Sequence, residues 1–212
     1  GNKDAKSVLD VNGDFLLSAG NFRPENHTHT FAGNWNDASV SGGFIPGGGT
    51  ILMDGTTTTN ISTNPNNHFN NLTIGDGVAT NVVQTNTANP INVEATLTVA
   101  ANGTFDVLAS HSLTLEDAVV TGALTATAST GNNALLDFQT ADNATLTVTG
   151  ALTLTGTSTT ERNAKITSDS DSRIIFDIQG TFSGTDFTIE FPDGDGFNLT
   201  GTNLPTILRG TF

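Results

Sequence analysis

The segment Val120-Thr121-Gly122-Ala123-Leu124-Thr125 returns unchanged as Val148-Thr149-Gly150-Ala151-Leu152-Thr153. Looser copies are Val11-Asn12-Gly13-Asp14-Phe15, Phe31-Ala32-Gly33-Asn34-Trp35, Ile178-Gln179-Gly180-Thr181-Phe182 and Leu199-Thr200-Gly201-Thr202-Asn203-Leu204. Met53-Asp54-Gly55 and Ala101-Asn102-Gly103-Thr104-Phe105 extend the series. The glycines at 13, 33, 55, 103, 122, 150, 180 and 201 are separated by 20, 22, 48, 19, 28, 30 and 21 residues. The long gap reads as two units, with Leu72-Thr73-Ile74-Gly75 near the missing boundary. A unit this short cannot bury an apolar face alone, so the copies are expected to stack as a solenoid.

Within each unit, apolar residues alternate with Thr, Asn or Asp, as in Leu72-Thr73-Ile74, Leu97-Thr98-Val99, Leu113-Thr114-Leu115 and Leu146-Thr147-Val148. Alternation is the mark of strands with one buried face. No stretch carries an apolar stripe of helical period, so the fold class is all-β, a parallel β-helix of about nine coils over residues 1–212. At each corner a glycine is expected either to supply positive φ or to let two backbones approach closely. The predicted core is Leu72, Ile74, Leu97, Val99, Phe105, Val107, Leu113, Leu115, Leu146, Val148, Leu152 and Leu154. A β-sandwich uses similar short strands and is the alternative, although its hairpins would show Asn-Gly or Asp-Gly about every 8–12 residues. Phe in strands is expected to stack on Phe of adjacent coils, and Trp35, inside a corner motif, to be buried or half buried.

The run Ala32-Gly33-Asn34-Trp35, with Phe44-Ile45-Pro46-Gly47-Gly48-Gly49-Thr50-Ile51-Leu52-Met53-Asp54-Gly55 and then Phe69-Asn70-Asn71-Leu72-Thr73-Ile74, resembles a recurring unit of large bacterial surface proteins. Those are Thr/Asn-rich right-handed β-helices, many similar to cargo of the type IX secretion system in gliding bacteria. The resemblance covers nearly the whole chain and implies a right-handed parallel β-helix. For function it implies stalks, adhesins or fibre bodies, and no catalytic residues carry over from it. This chain departs from the pattern in its longer coils between Gly122 and Gly180, which are expected to carry protruding loops at Ala128–Asn133 and Thr157–Asn163.

Charge narrows the choice of partner. The 212 residues hold 7 Lys+Arg against 21 Asp+Glu, a formal net charge of −14, and no basic residue lies between Pro24 and Glu161. Nucleic acid and anionic membrane surfaces both need a basic face. Thr (37) and Asn (23) carry solubility instead, and Cys is absent, which excludes disulfides and thiolate metal sites. No run of 18 apolar residues exists and the first residues have no hydrophobic leader core. The composition suits an exported, extracellular or cell-surface protein.

No constellation of catalytic residues emerges. Cleavage of acidic polysaccharides needs convergent carboxylates with Arg or Lys. Lys165 and Arg173, near Asp169, Asp171 and Asp177, are the one candidate cluster, and Ser168–Arg173 reads more simply as a solvated loop. His27 and His29 alternate, as two metal ligands on one strand face would, without an evident third. Asp10-x-Asn12-Gly13-Asp14 and Asp193-Gly194-Asp195-Gly196 offer oxygens at alternate positions as calcium loops do, but Asp-Gly is also ordinary turn chemistry. Sequons at Asn26, Asn60, Asn71, Asn102, Asn143 and Asn198 are about as many as the composition produces by chance. The pairs Thr96/Thr98, Thr125/Thr127, Thr145/Thr147 and Thr153/Thr155 suggest an ice-binding hydroxyl ladder, which the unequal coil lengths argue against. The expected function is therefore a non-catalytic extracellular structural or adhesive β-helix, with no cofactor and no metal site. Its partners are neighbouring copies or a longer parent chain through the coil ends, and surface glycans. The alternative is a carbohydrate-active β-helix, either a binding module or a lyase.

Overall fold

The computed structural model describes residues 2–39, 42–87, 89–139, 143–158, 160–168, 173–190 and 206–208. Gly201, the Asp193–Gly196 motif, Asp169 and Asp171 lie outside the described residues. Among the described residues there are 22 strands and no helix, and every strand pair is parallel. The chain is a parallel β-helix.

Each coil contributes to three faces. Face one is a nine-stranded sheet, running from Phe15–Leu17 through Trp35–Asp37, Thr58–Ser62, Asn81–Thr85, Gly103–Val107, Ala123–Thr127, Ala151–Thr155 and Thr181–Thr185 to Thr206–Leu208. One strand per turn gives nine coils, and at about 4.8 Å per coil the stack is roughly 40 Å long. Face two begins with the pair Asn2–Asp4 and Asn21–Arg23 and the Phe22–Phe44 bridge. Face three begins with Asp10–Val11, Thr28–Phe31 and Thr50–Met53. In mid-rod the two faces fuse into the long strands Ile91–Val99 and His111–Val120. They part again as Ala134–Phe138 and Asn143–Val148.

The corner between faces three and one explains the repeated glycine. Thr149 and Gly150 both donate backbone N–H groups to the Val120 carbonyl, at 2.9 and 3.1 Å, and Ala151 N–H donates to Gly122 O at 2.8 Å. A Cβ on Gly150 would run into the Gly122 carbonyl oxygen, and one on Gly122 into that of Gly103. Neither glycine has positive φ. Of the two reasons for glycine, close backbone approach is the one that operates here. Gly122 and Gly150 hold equivalent places, with Ala123 paired to Ala151 and Leu124 to Leu152. Gly75, at φ 78°, sits against Gly103 and resolves the long gap in the glycine series.

The corner between faces one and two is built differently. Asn64 donates its side-chain amide to Ser39 O at 2.7 Å, and Asn89 donates to Thr63 O at 3.1 Å. Buried Asn163 donates to Ser129 O at 2.7 Å and Asn132 O at 2.9 Å. These amides staple one coil to the next. The two expected protrusions, Ala128–Asn133 and Thr157–Asn163, both lie at this corner. There Glu161 accepts Gly131 N–H at 3.0 Å, which with the Thr157 hydroxyl holds its carboxyl below the usual range.

All twelve predicted core residues are buried. They stack in columns such as Ile51–Leu72–Leu97–Ala118–Leu146–Phe176 and Phe105–Leu124–Leu152–Phe182. The expected Phe-on-Phe ladder is confined mainly to the first coils. Phe22 stacks on Phe44 at 6.1 Å, Phe15 on Trp35 at 4.4 Å, and Trp35 packs against Phe31 and Phe69. Phe105 stacks instead on Val83 and Leu124, its register partners in the coils on either side. Trp35 is buried, as expected. Beside it lies a buried polar cluster: the Asp37 carboxylate accepts from Ser39 Oγ at 2.5 Å and Asn67 Nδ2 at 2.6 Å, so the charge is solvated by protein donors.

Candidate functional site: an acidic groove over faces two and three

The fused strand Ile91–Val99 slips in register between Val93 and Thr96 against both of its neighbours. Glu94 and Ala95 therefore form a bulge, a device that bends a strand and re-aims a side chain. Around it the stacking of coils gathers residues far apart in sequence. Asn92 pairs with Thr114, and the Phe69–Val93 pairing sets His68 beside Asn92 in the same outward row. Glu94 and Glu116 follow the paired residues Val93 and Leu115, and Gln139 follows Phe138, the next partner of Leu115. With Pro65 and Asn66 these side chains line a groove of about 390 Å³.

The electrostatics of the groove are one-sided. His68 Nε2 lies 3.0 Å from Glu94 Oε2. Desolvation in the groove wall raises the Glu116 carboxyl above its ordinary range, and the charges of Glu94 and Asp117 add to the rise. No Lys or Arg lines the groove. Gln139 donates to Asp137 Oδ2 at 2.5 Å, which fixes the amide at one end. Such a surface offers carboxylates and amides to a ligand rich in donors, and repels anions.

Other residues singled out by sequence are dispersed or used structurally. The His27 and His29 rings lie together, centroids 6.0 Å apart, with His29 buried. His29 Nδ1 accepts Leu9 N–H at 3.0 Å and its Nε2 donates to Pro24 O at 2.8 Å, which occupies both ring nitrogens. Asp14 accepts from Asn34 N–H and Nδ2, and Asn34 in turn accepts from Asn60, so these residues of the supposed calcium loop form a coil-to-coil ladder. Asp54 is raised by burial and then by Asp10 and Asp76, whereas Asp76 is held low by the N–H groups of Val78 and Ala79. No trio of His, Asp or Glu suited to a metal occurs among the described residues. Of the catalytic cluster considered above, Lys165 lies on face two whereas Arg173 and Asp177 lie on face three, and Asp169 and Asp171 fall outside the described residues.

The Thr pairs fall on two faces. Thr125–Thr153–Ser183 and Thr127–Thr155–Thr185 make two adjacent columns on face one, while Thr96/Thr98 and Thr145/Thr147 belong to face three. Unequal coil lengths do not disturb the face-one register, contrary to the reason given above against a ladder. Length is absorbed at the corners, and the paired columns run for only these three coils.

The chain matches no family model, and no curated protein and no solved structure matches it significantly. The groove was not legible in the sequence. Its members span Pro65 to Gln139, one to three per coil, and the bulge that turns Glu94 outward carries no sequence motif of its own.

Proposed function

We propose that this chain is a non-catalytic structural or adhesive β-helix, a stalk or fibre-forming element of a cell surface. The observation that carries the reading is the uninterrupted stack of nine coils, with one continuous apolar core and outer faces built largely of Thr and Asn. Such a stack gives reach and stiffness, each coil supporting only its neighbours. Immunogold labelling of intact source cells tests it, with label expected on the outer surface and the purified chain expected to release no reducing ends from a panel of polysaccharides. Label confined to the cell interior, or sugar release, would overturn it. The groove favours a second reading, a glycan-binding module, since its amides, hydroxyl and carboxylates are the groups that engage sugar hydroxyls and amines.

A further inference from the structure

The groove lining repeats along the rod. Asn66 and His68, then Asn92 and Glu94, then Thr114 and Glu116, then Gln139 come from four successive coils. Their spacing is the coil rise of about 4.8 Å, close to the length of one unit in an extended sugar chain. A ligand that uses all four levels is a linear polymer lying along the rod axis. Its chemistry is set by what the groove lacks. With two carboxylates and no Lys or Arg, the groove disfavours polyuronates, sulfated glycans and phosphates. No Phe or Trp lines it, and its one ring, the His68 imidazole, is engaged with Glu94. The missing trio of metal ligands argues against a bridging cation. Glu94 and Glu116, stacked in adjacent coils, repel one another, and only Glu94 has the His68 imidazole beside it. An ammonium group seated between the two carboxylates offsets that repulsion and forms charge-assisted hydrogen bonds.

We propose that this groove binds a linear oligosaccharide bearing free amino groups, a hexosamine chain whose ammonium groups meet Glu94 and Glu116 and whose hydroxyls meet Asn66, Asn92, Thr114 and Gln139. The proposal rests on the glycan-binding reading and is independent of the stalk reading. The bulge at Glu94 and Ala95 supports it apart from the charges, because it interrupts an otherwise regular ladder at the level where Glu94 enters the groove.

Calorimetric titration of the chain tests it with four probes: a glucosamine hexamer, its fully N-acetylated counterpart, a galacturonate hexamer and hexalysine. The glucosamine hexamer is expected to bind about tenfold or more tighter than the other three. The double substitution Glu94→Gln and Glu116→Gln, on two exposed side chains, is expected to abolish that preference while the circular dichroism spectrum and melting temperature stay unchanged. Glu161→Gln, at the remote loop corner, is the control and should bind as the parent does. Equal binding of the N-acetylated hexamer would keep the glycan reading and overturn the amine assignment. Hexalysine binding as tightly as the glucosamine hexamer would show recognition of charge alone and overturn the sugar. Failure of all three sugar hexamers to bind would overturn the glycan reading with it, and galacturonate binding as tightly as the glucosamine hexamer would overturn the amine assignment.

Discussion

The two corners that flank face one solve one problem in opposite ways. Between faces three and one, two residues separate Val120 from Ala123, Val148 from Ala151 and Ile178 from Thr181. In those three coils the backbones touch and the residue type is fixed, whereas earlier turns of the same corner take three residues at 100–102 and six at 75–80. Between faces one and two the gap runs from 108–110 in one coil to 128–133 and 156–163 in later ones. Side-chain amides make the joint there, and an amide at the end of a flexible side chain tolerates extra residues beside it. Contact between main chains constrains sequence, whereas contact through a side chain leaves length free.

The comparison can be broken most sharply at the glycine corner. Gly150→Val drives side-chain carbon into the Gly122 and Thr121 carbonyls, which belong to a hydrogen-bonded backbone that cannot move aside. The expected loss is about 4 kcal/mol or more, the range of severe steric substitutions, read from the shift in urea midpoint. A variant that unfolds at the parent midpoint would show that this corner is no more constrained than the other.

At the amide corner, Asn163→Ala leaves the Ser129 and Asn132 carbonyls without their side-chain donor. Each carbonyl keeps a backbone donor on an exposed residue, so the expected cost is about 1 kcal/mol, that of a lost hydrogen bond. Inserting three Gly/Ser residues between Thr130 and Gly131 should cost about 1 kcal/mol or less, because loop-closure entropy grows slowly with length. Equal damage from the insertion and from Gly150→Val would abolish the distinction between the corners.

The smallest effect expected is that of pH. His111 opens face two directly after the short corner at 108–110, and its Nδ1 accepts the Thr85 hydroxyl at 2.7 Å. Burial lowers its pKa, against the smaller opposing effect of the Thr85 backbone, so the folded chain binds this proton less readily than the unfolded one. Its contribution to stability is therefore present above the ordinary imidazole range of about 6.5 and is lost as pH falls through the lowered value. Melting temperatures of the parent and His111→Gln should diverge slightly at neutral pH and converge in acid. Parallel curves across that range would remove His111 as the cause.

This contrast also explains how far the sequence could be read. Gly122 and Gly150 were visible because the fixed corner imposes both a residue and a spacing, and the alternation of Leu152 and Leu154 with Thr imposed the core. The amide corner left no such trace. Asn64, Asn89 and Asn163 look in sequence like any of the other Asn in a chain rich in them, although each joins two coils. The fusion of faces two and three was hidden for a related reason, since Glu94-Ala95-Thr96 breaks the alternation where one would place a turn. His27 and His29 do lie together as alternation suggests, but both ring nitrogens of His29 are taken up by Leu9 and Pro24, which spacing alone does not reveal.

Every strand in this molecule lies across the rod, so the bonds between coils point along it. A pull on the two ends of the chain therefore loads those bonds head-on, and the outermost coil bears the strain before the next one feels it. The rod yields by unwinding one turn at a time, each released turn adding slack about as long as its extended residues. Glycine corners would let go together with their flanking strands, while the longer turns, such as the one between Gly150 and Gly180, would release more chain per event. An element built this way absorbs mechanical work in steps and shortens again when the load is removed, provided that its inner coils remain to template the outer ones.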